Sequence, residues 1–238
     1  MIYFSGDIHG NPDDICRTCQ VRKIGKGDIL VLLGDVGANY YGDSRDNYVK
    51  AMLNNTGATI LCVHGNHEQR PSNIEDYKLI DWNGGKVWVE PEYPSVLFDR
   101  DGDIYTMGKF RYLVIGGAYS IDKYYRLQRG YGWWDDEQPS EETKAYVEKQ
   151  ISENHIDVIL SHTCPFKYEP VEAFLSMVDQ DTVDDSTEKW LDKIEAIVDY
   201  KAWFCGHWHI NKRIDRMHFL FGGVESVDNI WKSYGSKL

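Results

Sequence analysis

Five short apolar runs punctuate the chain: Ile2 to Phe4, Ile29 to Leu33, Ile60 to Val63, Val158 to Leu160 and, more weakly, Trp203 to Cys205. The second is too short for a buried helix and is bounded by Gly27-Asp28 and Gly34-Asp35, which predicts a buried strand. The others are of the same kind. Helical signals lie between them. Asn11-Pro12-Asp13-Asp14 has the chemistry of a helix start, since Asn can cap, Pro fits the first turn and acids suit the positive end. That helix runs to about Arg22, and a second passes through Tyr48 to Leu53. A third begins near Ser140, and a fourth near Asp185 carries Trp190, Leu191, Ile194, Ile197 and Val198 at helical spacing toward a core. From Lys86 to Gly117 the texture changes to short β-rich runs broken by Pro91, Pro94 and Asp101-Gly102-Asp103, which reads as a meander. Ile214, Phe219 to Phe221 and Ile230-Trp231 read as closing strands. Neither an internal repeat nor a low-complexity linker interrupts the pattern, and 238 residues suit one sizeable core, read as a single domain over 1–238.

Composition narrows the function classes. No window has the apolar length to span a bilayer, and the start Met-Ile-Tyr-Phe-Ser-Gly-Asp carries no basic leader, so a cytoplasmic location without membrane attachment is expected. A net charge of −12 opposes binding to duplex nucleic acid, which depends on clustered Lys and Arg. Five cysteines, an odd number, favour free thiols over a disulfide framework. Cys16 and Cys19 form a lone C-x-x-C that reads as structural, and Cys62, Cys164 and Cys205 read as small core residues.

Each apolar run ends in a metal-seeking side chain. The segments are Gly6-Asp7-Ile8-His9-Gly10, Gly34-Asp35, Gly65-Asn66-His67-Glu68, Ser161-His162 and Gly206-His207-Trp208-His209. In sheets flanked by helices, ligands bind in the crevice outside the carboxyl ends of strands, so remote side chains can converge there. The order Asp-x-His, Gly-Asp, Gly-Asn-His-Glu, His, Gly-His-x-His resembles the calcineurin-like metallophosphoesterases, with motifs covering residues 6 to 209. The resemblance implies a four-layer αββα sandwich, an α/β fold with two mixed sheets flanked by helices and a dinuclear metal site at the strand ends. It also implies a division of labour: Asp7, His9 and His209 on one metal, Asn66, His162 and His207 on the other, and Asp35 bridging. His67 would then protonate the leaving alkoxide. Mixed imidazole and oxygen ligands suit two divalent transition-metal ions, manganese first and iron or zinc next. Such a pair can share a hydroxide for in-line attack on phosphorus.

One motif departs from a branch of that family. Where phosphoprotein phosphatases have Gly-Asp-x-x-Asp-Arg-Gly, this chain has Ala38, Asn39 and Tyr40 at the last three positions. The missing Asp would have oriented the catalytic His and the missing Arg would have gripped phosphate. Asn39 or Asp43 is the expected substitute for the first, and Arg45, Arg70, Arg126 or Arg129 for the second. Segment 118–139 alternates aromatics with basic residues and glycines and is expected to be a substrate-facing loop or, equally, a self-packed Ω-type loop. The expected activity is hydrolysis of a phosphorylated small molecule or phosphoprotein, with a phosphomonoesterase favoured. A phosphodiesterase or dinucleoside-polyphosphate hydrolase, which would admit a nucleotide, is the alternative, and a non-catalytic scaffold the third reading.

Overall fold

In the computed structural model, which describes residues 1–228 and 231, the apolar runs become the parallel centres of two sheets. The chain opens with β1 (Ile2–Ser5), α1 (Asp13–Arg22), β2 (Ile29–Leu32), α2 (Ser44–Asn54) and β3 (Thr59–Cys62). There follow β4 (Lys78–Trp82), β5 (Gly85–Val89), β6 (Val96–Asp99), β7 (Ile104–Met107), β8 (Phe110–Ile115) and α3 (Lys123–Arg129). The remainder is α4 (Glu141–Glu153), β9 (Val158–Ser161), α5 (Ser186–Ile197), β10 (Ala202–Cys205), β11 (Lys212–Ile214), β12 (Met217–Phe219) and β13 (Glu225–Ser226). One sheet has seven strands in the order β13-β1-β2-β3-β6-β5-β4, the other six in the order β11-β12-β10-β9-β8-β7. Parallel pairing joins β1, β2 and β3, and likewise β8, β9 and β10, while the edges are antiparallel.

Strand β2 shows why the runs are unbroken. Leu30 and Leu32 pack outward with Ile15 and Cys19 of α1 and Val49 and Leu53 of α2, whereas Val31 and Leu33 face the second sheet. The second sheet repeats the arrangement. Leu113, Ile159 and Trp203 pack with Val147 of α4 and with Trp190, Leu191 and Ile194 of α5, while Val114, Leu160 and Phe204 point inward. Phe4 and Phe204 stack between the sheets with ring centroids 4.5 Å apart, each buried ring contributing roughly 1.5–3 kcal/mol by leaving water. The layers are therefore helix, sheet, sheet, helix, as expected. No helix is long and apolar enough to cross a membrane among the described residues.

Several expectations are corrected. The β-rich stretch is not one meander: β5 and β6 pair in the first sheet and β7 and β8 in the second. What resembled a hairpin turn at Asp101-Gly102-Asp103 is the crossover, where carboxylates tie the sheets together. Asp101 accepts from the Gly116 amide, and Asp103 accepts from the Lys86 amide and the Arg100 guanidinium. Strand β4, largely exposed, was not anticipated because its pattern holds no buried face. Ile197 is exposed rather than core-facing, since α5 ends there and Val198 turns inward. Closure comes from β11, β12 and β13; Phe221 lies outside any strand, Trp231 packs at the rim of the inter-sheet core, and Ile230 is outside the described residues.

His218 of β12 stacks on Phe204 at 4.7 Å, and burial, with Arg213 nearby, pushes its imidazole down from 6.5 to about 4. Between those values the unfolded chain binds a proton that the folded chain refuses, so stability rises with pH through the window and is lost as pH falls toward 4. His218→Phe is expected to lose less stability than the parent protein over that interval in urea titrations. Equal losses would show that His218 does not set the slope.

Candidate metal centre

All five motifs meet at one end of the sandwich because β1, β2, β3, β9 and β10 present their carboxyl ends there. The backbone leaves each strand sharply. Among the described residues seven non-glycine positions have positive φ, and four of these are His9 (45°), Asp35 (47°), His207 (64°) and His209 (52°). Such concentration of left-handed backbone at one spot marks a site whose geometry overrides local preference. Glycines provide room for the approach. A Cβ on Gly34 would come within 2.0 Å of His162 Nδ1, and one on Gly206 within 2.2 Å of Asp7 Oδ1. Backbone amides then fix the carboxylates: His207 N donates to Asp7 Oδ1 at 2.9 Å and His67 N to Asp35 Oδ1 at 2.8 Å.

The candidate ligand atoms fall into two nests. In the first, His9 Nε2 and His209 Nε2 are 2.8 Å apart, with Asp7 Oδ2 at 3.8 Å and 3.3 Å respectively. In the second, Asn66 Oδ1 lies 2.8 Å from His162 Nε2 and 3.1 Å from His207 Nδ1. Asp35 stands between them, Oδ2 at 4.0 Å from His9 Nδ1 and Oδ1 at 3.5 Å from His162 Nε2. Asp7, His9 and His209 form one set compact enough to hold an ion, and Asp7, Asp35 and His162 another. Asp7 thus reaches toward both nests. Burial works to raise the Asp35 carboxyl, but His162, His67 and His9 around it hold it below the usual carboxylate range. Burial also keeps His207 well below its ordinary value, hence neutral and able to ligate.

The second nest carries a test of whether a metal fits. His162 Nδ1 donates to the Leu33 carbonyl at 2.8 Å, so that in the neutral ring Nε2 bears the lone pair. Nε2 faces the amide oxygen of Asn66. The orientation of the amide is fixed from behind, where Asn66 Nδ2 donates to Ser120 Oγ at 2.9 Å. Ser120 Oγ in turn donates to Glu137 Oε2 at 2.5 Å and accepts from Arg126 Nη1 at 2.9 Å. A protonated ring hydrogen-bonds the amide oxygen, whereas a neutral ring sets two acceptors against each other in a buried spot. In that neutral state a cation satisfies both, so the residues present fit a metal ion.

The rest of the site supports the loops rather than adding ligands. Glu68 is buried, accepts from the amides of Gly65 and Val36, and is pushed up to about 8 by burial and by Asp35. Neither Asn39 nor Asp43 faces His67: Asn39 accepts from Tyr77 and Asp43 accepts from Arg45. Instead Asp122, absent from the sequence reading, places Oδ1 3.7 Å from His67 Nε2, and that oxygen is buried without a hydrogen bond. Arg45 is thereby occupied as well. The expected phosphate clamp is also corrected. Arg70 donates to Asp101 and to the Asp136 carbonyl, Arg126 is buried against Ser120, Asn66 and the Gly132 carbonyl, and Arg129 lies over Tyr125. None of the three lines the cavity of about 740 Å³ that opens over the centre. Segment 118–139 contains α3 and acts chiefly behind the site, with Trp133 donating to Glu137, although Tyr119, Ile121 and Asp122 do reach the cavity wall. Cys16 and Cys19 are unpaired, burial raises both thiols, Cys19 to about 11, and neither belongs to a compact set of metal-ligating groups among the described residues.

A sequence model of the calcineurin-like phosphoesterases matches residues 1–211. By structure the chain is similar to protein TT1561 of Thermus thermophilus, at 13% identity and a TM-score of 0.53 over 93% of this chain and 88% of that one. It is also similar to the phosphopantetheinyl hydrolase of Mycobacterium tuberculosis, at 13% identity and a TM-score of 0.50 over 99% of this chain and 93% of that one. At such identities the likeness establishes the fold alone. No curated protein matches by sequence.

Ser120→Ala removes the hydroxyl that sets the Asn66 amide, and loss of an outer partner of this kind costs about 10–100-fold in metal affinity. Manganese titration of chelator-treated protein checks this. Unchanged affinity would remove Ser120 from the account.

Proposed function

Because the chain belongs to the calcineurin-like phosphoesterase family, whose members are metal-dependent phosphoester hydrolases, we propose that it is a phosphomonoesterase acting on a phosphorylated small molecule. The observation that carries the reading is the convergence of His162 Nε2, His207 Nδ1 and Asn66 Oδ1 beside Asp35, a donor set that suits a cation when the imidazoles are neutral. Asp7, His9 and His209 would hold one ion, Asn66, His162 and His207 the second, with Asp35 shared. Imidazole, carboxylate and amide donors together suit manganese, iron or zinc. When bound, the pair supplies an acidified water and neutralises phosphate charge.

The chain's own residues do the remaining work. His67 stands over Asp35 at the cavity wall, where its imidazole can deliver a proton to the departing alkoxide. Asp122, from a different segment than the Asp of the phosphoprotein phosphatases, would hold the His67 ring in line, since apo contacts of 3.7 Å tighten when substrate arrives. No Lys or Arg among the described residues lines the cavity, so phosphate charge falls to the metals. A volume of about 740 Å³ fits a small organic ester better than a protein surface, which favours the small-molecule reading over a phosphoprotein. Five unpaired thiols, four of them buried, suit a reducing cytoplasm.

With manganese added, p-nitrophenyl phosphate is expected to turn over faster than its bis-nitrophenyl diester; the reverse order would favour the phosphodiesterase alternative. His67→Gln is expected to lower kcat by about 10²–10⁴-fold, and Asp122→Asn by less. Both losses should be larger with an alkyl phosphate, whose leaving group needs a proton, than with nitrophenyl phosphate. Equal losses on both esters would deny His67 the acid role.

A further inference from the structure

The cavity over the metal centre extends sideways into an arm with its own chemistry. Its far wall is built by the 3-10 turns Phe166–Tyr168, Val171–Ala173 and Gln180–Thr182 and by the start of α5. Aromatic faces form one side. Phe174 and Trp208 stack with centroids 5.7 Å apart and interplanar angle 25°, and the Trp208 ring is 5.2 Å from that of His207, so the arm begins beside the metal ligands. Glu169, Asp185 and Glu188 line it as well.

Two of those carboxylates have no ion pair. Asp185 pairs with Lys189 at 2.7 Å, and the charge of Lys189 is also felt by Glu169, but neither Glu169 nor Glu188 makes an ion pair among the described residues. Glu188 is 4% exposed, lines the cavity, and keeps Oε2 without a hydrogen bond. Burial pushes Glu188 up to about 7, with the Thr163 hydroxyl working against the rise and the charge of Glu169 adding to it; burial likewise pushes Glu169 up to about 7, with Asp185 and Asp192 adding. An acid in such a place holds its proton until a ligand brings the opposite charge, and an arriving cation favours its ionised form. A metal ion is too small for the role. Among the described residues the sets of carboxylate, imidazole and thiol groups compact enough for one include none of Glu169, Asp185 and Glu188. A larger organic cation meets all the requirements, since aromatic faces and a carboxylate together attract an alkylammonium.

We propose that this arm binds an ammonium group carried by the leaving alcohol, so that the preferred substrate is the phosphate ester of an amino alcohol. The inference rests on the phosphoesterase reading for the position of the phosphate, at the metals, while the ammonium lies between Glu188 and the Trp208–Phe174 pair. A second phosphate in the arm would meet carboxylates and aromatic rings, with no Lys or Arg lining it among the described residues. Dinucleoside polyphosphates are therefore poor candidates.

The test compares phosphocholine with 3,3-dimethylbutyl phosphate, which has the same shape and no positive charge, and compares choline with 3,3-dimethylbutanol for binding to chelator-treated protein by calorimetry. The charged member is expected to exceed the neutral one by about tenfold or more in kcat/KM and in affinity. Glu188→Gln should bring both ratios toward one, and Glu169→Gln should move them in the same direction should the buried variant fold poorly. Equal handling of charged and neutral forms, or ratios indifferent to both substitutions, overturns the ammonium arm even where phosphate esters are hydrolysed. Choline binding that depends on Glu188, with no phosphate ester turned over in manganese, confirms the arm and sinks the phosphoesterase reading instead.

Discussion

The crowding of donor atoms at five strand ends governs this structure. His162 Nε2 and Asn66 Oδ1 stand 2.8 Å apart, with the Nδ1 proton taken by Leu33 and the Asn66 amide turned by Ser120. With a neutral imidazole such a contact is repulsive, and buried unsatisfied acceptors are costly. The molecule nonetheless builds around it. Left-handed backbone at His9, Asp35, His207 and His209, glycines at the points of closest approach, and a polar network reaching back to Glu137 and Arg126 all maintain the arrangement. A cation held there would satisfy both atoms, and coordination would offset the strain that assembles the centre.

Much of this was legible in the sequence, for physical reasons that also explain what was not. Strands buried on both faces read as unbroken apolar runs, so β1, β2, β3, β9 and β10 and the convergence of the side chains at their ends could be placed from pattern, while the roles of those side chains came from the family resemblance. The layers followed from the helices between them. Exposed β4 gave no such signal, and the crossover at Asp101 resembled a turn because the sequence does not reveal that its acids bond across sheets. Within the site, Asn66 was identifiable, but the partner that orients it lies 54 residues away at Ser120, with no fixed spacing to betray it. Asp122 escaped for the same reason. The arginines that composition offered as phosphate ligands proved to be engaged in the framework: Arg70 on Asp101, Arg126 behind Asn66.

Charge is distributed with a consistent logic. The chain is acidic overall, at −12, and its cavity has carboxylates on one wall and no Lys or Arg among the described residues. On the proposed reading, attraction for phosphate would come from two divalent ions, whose positive charge would exceed the negative charge of Asp7 and Asp35. Farther from the centre, at Glu169 and Glu188, the sign would reverse. An ester anionic at one end and cationic at the other would then be oriented before any specific hydrogen bond formed.

The central claim is that seven side chains from five strand ends form a dinuclear centre. Titration of chelator-treated protein with manganese or zinc, counting bound ions while following thermal unfolding, tests it most directly. The account predicts two ions per chain and a melting temperature that rises with both, since ligands that bind only the folded state stabilise it. Binding of none, or of ions that leave the melting temperature unmoved, would contradict it.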